Sequence, residues 1–89
     1  MKTIWKYPLE PFERTLNVPA NAQLLTVQTQ KNIPCLWFLV ELDQAEPTET
    51  RRFTTYGTGH TIPDGNRLYV GTTQMHDDAL VFHVFEELD

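Results

Sequence analysis

Cysteine is almost missing from this 89-residue chain: Cys35 is the only one, so no disulfide can form within it. Cys35 also sits in an apolar run, where a thiol reads as a small buried hydrophobe and burial blunts its reactivity. One chain of this length is a single domain, residues 1–89. It buries only roughly 60–65 % of the surface its unfolded form exposes. With no disulfide to add stability, self-association into a homo-oligomer is the expected source of further burial. Positive charge is scarce as well. Lys and Arg number 7 against 12 Asp and Glu, giving a net charge of −5. That balance excludes a nucleic-acid polymer as the main partner, because phosphate backbones need a basic footprint. A small anionic ligand held by two or three local donors stays possible.

Long apolar runs are lacking too. None approaches the ~20 residues of a membrane span, so no membrane partner is expected. Lys2 and Lys6 flank only Thr3, Ile4 and Trp5, short of the apolar core of a secretory signal, which makes cytoplasm the expected compartment. One Cys and three scattered His do not make zinc-type spacing. No metal and no cofactor are expected. His76-Asp77-Asp78 reads as a turn whose acids bond locally. Helical periodicity is absent from every window of a dozen residues without Pro or Gly inside it.

Strand patterning is what the sequence offers instead. Gln23 to Gln30 alternates Leu25 and Val27 against Thr26 and Gln28. After Lys31-Asn32 comes Ile33 to Leu42, and the two runs read as a β-hairpin. A two-residue turn pairs Gln30 with Ile33, Val27 with Leu36 and Leu25 with Phe38. The second run is apolar on both faces, as a central strand covered on both sides would be. Pro34 argues that its start lies at a sheet edge. Further runs are Thr50 to Tyr56, Arg67 to Gln74 and Ala79 to Phe85. Thr3 to Leu9 is strand-like, with Pro8 and Pro11 confining it to an edge. Polar loops separate these runs: Asp43 to Glu49, and Gly57 to Asn66 ending in the turn Pro63-Asp64-Gly65-Asn66. The expectation is an all-β domain: a small antiparallel sandwich or open barrel of about five to seven strands with little or no helix.

The loop Gly57-Thr58-Gly59-His60 is the main candidate site. Two glycines around a hydroxyl residue let backbone N–H groups approach an anion, and His60 adds a side-chain donor. The competing reading is a tight strand connection. No lysine or helix follows, so it is no P-loop. Neighbours on a strand point to opposite faces. If Phe53 is core, Arg51 shares its face and Arg52 points away with Thr54 and Tyr56. Arg52 then suits a phosphate, or a nearby acid on a solvated face. His83 reads as a partly buried histidine. Glu86, Glu87 and Asp89 read as a solvated terminus, and no catalytic constellation emerges. Of the many aromatics, including Phe12, Trp5, Tyr7, Trp37 and Tyr56 are candidates for a stacking platform or a subunit interface.

The segments Ile4-Trp5-Lys6-Tyr7, Pro34-Cys35-Leu36-Trp37, Thr48-Glu49-Thr50-Arg51-Arg52-Phe53, Gly57-Thr58-Gly59-His60 and Val81-Phe82-His83-Val84-Phe85-Glu86 carry a resemblance across nearly the whole chain. They resemble a family of small uncharacterised proteins of bacteriophages and prophages, a domain of unknown function. The resemblance implies a phage protein acting in the host cytoplasm, with no catalytic motif. The expected function is a non-enzymatic binding protein, an anti-defence factor that sequesters a small anionic ligand such as a nucleotide signal. Its expected ligand contacts are Arg52, Tyr56, Gly57, Thr58, Gly59 and His60. The alternatives are a protein-binding inhibitor of a host factor and a minor virion or morphogenesis protein.

Overall fold

In the computed structural model, residues 1–10, 13–75 and 79–88 are described. Seven strands form among them: β1 (Lys2–Pro8), β2 (Glu13–Pro19), β3 (Gln23–Gln30), β4 (Ile33–Glu41), β5 (Thr48–Gly57), β6 (Arg67–Met75) and β7 (Leu80–Glu87). A single 3-10 turn at Leu42–Gln44 is the one helical piece among the described residues. The strands make a three-stranded sheet, β1-β4-β3, and a four-stranded sheet, β2-β5-β7-β6, antiparallel throughout. The two sheets pack face to face as a sandwich and do not close into a barrel. Pro11, Phe12 and the expected turn His76-Asp77-Asp78 lie outside the described residues.

The β3–β4 hairpin shows why the alternation is a good but incomplete guide. Lys31 and Asn32 both sit at positive φ, 52° and 62°, as a two-residue type I′ turn requires. Gln30 pairs with Ile33 and Val27 with Leu36, as expected. The expected Leu25–Phe38 pair does not form. The strand bulges between Leu24 and Thr26, and Leu24 takes the place opposite Phe38. One extra residue flips the inward set, so Leu25 points out and is 44 % exposed.

Strand β4 is central in its sheet, and its doubly apolar pattern follows from that. Leu36, Phe38 and Val40 are fully buried against the other sheet, while Cys35, Trp37 and Leu39 face outward. Strand β4 is no edge strand, yet its start lies at the edge as expected: the β1 ladder ends at Pro8 opposite Cys35, one residue short of Pro34. The Pro34 carbonyl accepts from the Leu9 N–H at 2.8 Å, on the side where β1 has just ended, so the missing proline N–H breaks no ladder bond. Strand β1 does lie at an edge. Strand β2 lies in a segment with no strand expectation; its Leu16 and Val18 alternate with Thr15 and Asn17 and are buried.

The core joins these residues to Val27, Phe53, Val84 and Leu9. Tyr7 packs edge-on against Phe38, with ring centroids 5.3 Å apart, and Phe38 meets Phe53 at 6.4 Å. Between the sheets lies an ion pair that the terminal acids did not suggest. Glu86 is no solvated terminus: it lies on β7, and both its oxygens accept from Arg51, from Nε and Nη2, at 2.7 Å each. The Arg51 guanidinium sits over the Phe38 and Phe53 rings. Its hydrogen bonds to Glu86 hold its pKa above the ordinary value against the opposing effect of burial. At the β3–β6 seam the sheets come closest. A Cβ on Gly71 would lie 2.6 Å from Val27 Cγ1, so only glycine fits there without displacement. Gly71 follows a second bulge, between Tyr69 and Gly71.

Candidate functional site

Strand parity decides which expected residues meet. Phe53 and Thr55 face the core, so Arg52, Thr54 and Tyr56 point to the outer face of the four-stranded sheet. Across from them β7 presents His83, Phe85 and Glu87, opposite Tyr56, Thr54 and Arg52. Strand β6 adds Arg67, opposite Glu87, and Tyr69, opposite Phe85. Three rings thus run across three adjacent strands. Tyr56 and Phe85 lie 5.9 Å apart at 67°, and Phe85 and Tyr69 lie 5.5 Å apart at 62°. These are edge-to-face contacts, favoured by the ring quadrupoles. Tyr69 remains 61 % exposed.

Polar groups frame the rings. Arg67 Nε donates to both Glu87 oxygens at 3.1 and 3.2 Å, and its Nη1 donates to the Pro63 carbonyl at 2.6 Å. The guanidinium lies 6.0 Å over the Tyr56 ring, and the Tyr56 hydroxyl donates to Glu87 at 3.2 Å. Glu87, like Glu86, is therefore structural rather than a free terminal acid. Burial favours its neutral form, but hydrogen bonds from Arg67, Thr54 and Tyr56 win and lower its pKa. Tyr56 is pushed up, first by burial and then by the charge of Glu87. His83 is held on both ring nitrogens: Nε2 lies 2.7 Å from Thr58 Oγ1 and Nδ1 lies 3.0 Å from Thr72 Oγ1. Thr72 continues to the Tyr69 hydroxyl at 2.5 Å. The imidazole thereby ties the glycine loop to β6.

The expected cluster is split by the sheet. His60 N–H closes a turn onto the Gly57 carbonyl at 3.1 Å, with Gly59 at φ +87°. The His60 ring lies against the other side of Gly57, where an added Cβ would sit 2.8 Å from His60 Cε1. Gly57 shares its parity with Phe53 and Thr55, so this is the inward side. The lack of a side chain at Gly57 thus admits His60. Arg52 and Tyr56 share the outer face, where Thr58 reaches His83 at the far end of the strand from Arg52, while His60 is turned away from them. Arg52 Nη1 lies 3.6 Å from Glu13 Oε1.

The other candidate aromatics are dispersed. Trp5 and Tyr7 share the inner face of the three-stranded sheet with Phe38 and Leu36. Trp37 is half-buried on that sheet's outer face, with Lys6 Nζ 5.8 Å over its ring. Tyr69, Phe85, His83 and Arg67 complete the platform without having been singled out as a group. Tyr69 and Phe85 read as core by default, and the bulge beside Tyr69 left no trace in the hydropathy pattern. Among the described residues no cluster of three His, Cys, Asp or Glu could hold a metal ion, and no helix is long and apolar enough to cross a membrane.

This fold and face have a family. The chain belongs to the family described as Domain of unknown function (DUF7352), whose model matches residues 1–89. No curated protein and no solved structure matches it. Family membership thus covers the whole chain and assigns no residue a role.

Proposed function

We propose that this member of the family is a non-enzymatic binding protein that takes up a small anionic, ring-bearing ligand, of the nucleotide type, on the outer face of its four-stranded sheet. The observation that carries this reading is the Tyr56–Phe85–Tyr69 ladder on a face the other sheet leaves uncovered. Exposed rings beside cationic groups give a base a surface to stack on and a phosphate its donors. Tyr69 is the stacking ring, Arg52 is the phosphate donor, and His83 links Tyr69, through Thr72, to Thr58 of the glycine turn. Arg67, fixed by Glu87 and Pro63, holds the platform in shape. The resemblance to phage proteins supports the finer reading, an anti-defence factor that sequesters a nucleotide signal in the host cytoplasm.

Calorimetry across cyclic dinucleotides, cyclic trinucleotides and ADP-ribose-type compounds tests it. Saturable binding that weakens about tenfold in Tyr69→Ala, the cost of one lost stacking contact, is the expected result. Absence of binding by every member of the panel overturns the reading.

A second reading rests on a different surface. The outer face of the three-stranded sheet carries Ile4, 55 % exposed, opposite Leu39, with Trp37 beside it. Such an apolar patch fits a protein interface, with a second copy or a host protein. Native mass spectrometry tests the first of these: a homo-oligomer lost on Ile4→Glu supports self-association, and a monomer excludes it.

A further inference from the structure

The two bulges lie opposite one another. One displaces Leu25 from β3, the other interrupts β6 between Tyr69 and Gly71. Next to them Val27 and Gly71 pinch the sheets together. On the bulged side of the pinch the seam opens into a cleft of about 280 Å³. Its lips are apolar and uncovered: Leu25 is 44 % and Leu68 55 % exposed, with Tyr69 beside them. Arg51 and Glu86 line it from within. Bulges recur beside binding sites because they re-aim side chains and end pairing locally. Here a matched pair of them flanks the opening on one side of the pinch.

The lining specifies the chemistry of an occupant. Arg51 and Glu86 neutralise each other through two hydrogen bonds, so a charged ligand would shed its water without finding a free counter-charge. Each Glu86 oxygen takes one N–H from Arg51, and a carboxylate oxygen can accept more than one. The cleft therefore accepts a donor at its floor and apolar surface at its mouth. The guanidinium, seated over Phe38 and Phe53, keeps that floor fixed. At about 280 Å³ the cleft is smaller than most drug-sized ligand pockets, the size class of a single small ring system.

We propose that this cleft is a second binding site, adjoining the outer-face platform at Tyr69 but opening between the sheets, for a small neutral aromatic molecule with one N–H or O–H donor, of the indole or phenol class. The ring lies between Leu25 and Leu68, and the donor reaches Glu86. A polar groove on the far side of the pinch provides the internal comparison. It is lined by Gln28, Thr29, Thr72, Thr73 and Gln74, and the Thr29 and Thr73 hydroxyls have no protein partner. It offers hydroxyls and amides and no apolar lips.

The test is an indole titration of the ¹⁵N-labelled protein followed by amide and Arg side-chain signals. Saturable shifts at Leu25, Val70 and Arg51 Nε are the expected result. Leu25→Gln/Leu68→Gln changes two exposed positions, so its unperturbed spectrum confirms the fold, and it weakens binding about tenfold by removing apolar contact. N-methylindole, which lacks the donor, also binds about tenfold more weakly, the value of one hydrogen bond to a charged acceptor. Arg52→Ala leaves indole binding unchanged, which separates this site from the nucleotide platform. The proposal is overturned by the absence of saturation, by shifts centred on Thr29 and Thr73 or on Tyr56 and His83, or by equal affinity for indole and N-methylindole.

Discussion

Replacing Gly71 with alanine puts the closest approach of the two sheets under direct strain. The new methyl would lie 2.6 Å from Val27 Cγ1, and Val27 is buried and stiff at χ1. Overpacking of this kind costs about 1–3 kcal/mol. Against it stands a gain of about 0.4–1 kcal/mol, because alanine restricts the unfolded chain. The net expectation is a loss of about 1–2 kcal/mol. Val27→Ala alone costs about 2 kcal/mol from lost burial and the cavity left behind. If the clash is the cause, the two substitutions are not additive. The double variant lies about 1–2 kcal/mol above the sum of the single effects, since Val27→Ala vacates the space the new methyl needs. Urea unfolding of the four proteins measures this, with m-values held constant so that midpoints report stability. Additivity within about 0.5 kcal/mol, or a Gly71→Ala protein more stable than the parent, would refute the reasoning.

The Arg51–Glu86 pair makes an asymmetric prediction: Glu86→Ala costs about 1–3 kcal/mol by leaving a partly buried guanidinium unpaired, whereas Arg51→Met/Glu86→Leu is close to neutral in urea unfolding. Glu87 has a folded pKa below its unfolded value; its contribution is present above the unfolded pKa of about 4.3 and is lost as pH falls through the lower folded value. Arg67→Gln therefore lowers the unfolding midpoint at pH 7 and has a smaller effect at pH 3, and equal effects at both would exclude this linkage. Cys35 is 2 % exposed, so its thiol resists Ellman's reagent in the native protein and reacts at the rate of unfolding; fast stoichiometric labelling of the native state contradicts its burial.

The sequence and structure agree where alternation is uninterrupted and part where it is not. Strands β3 to β7 were legible because β-branched and aromatic residues alternate between turn signals, and the Lys31-Asn32 turn was legible from its length. Leu25 was misplaced because a bulge adds a residue without changing composition. Strand β2 was hidden because Leu16 and Val18 give only two beats of alternation before Pro19. Half of the candidate face was legible in the same way: Arg52 and Tyr56 follow by parity once Phe53 is inside. Tyr69, Phe85 and His83 join them through pairings that only the β5-β7-β6 strand order creates. Glu86 escaped notice because a terminal acid reads as solvated until its partner, Arg51, is brought to it from thirty-five positions away.

The strand order also bears on how the chain is made. Strands β1 and β2, consecutive in the chain, edge different sheets, and their partners β4 and β5 come later. During synthesis β1 can satisfy none of its ladder hydrogen bonds until residues 33–41 have emerged, and β2 none until residues 48–57 have. Neither sheet can then be completed without them. Such non-local pairing slows folding and leaves strand edges unpaired while the ribosome works. The β3–β4 hairpin, closed by two residues, is the first element able to assemble; β1 docks onto its β4 edge and β2 waits for β5, so this amino-terminal segment closes both layers as a late-arriving clasp.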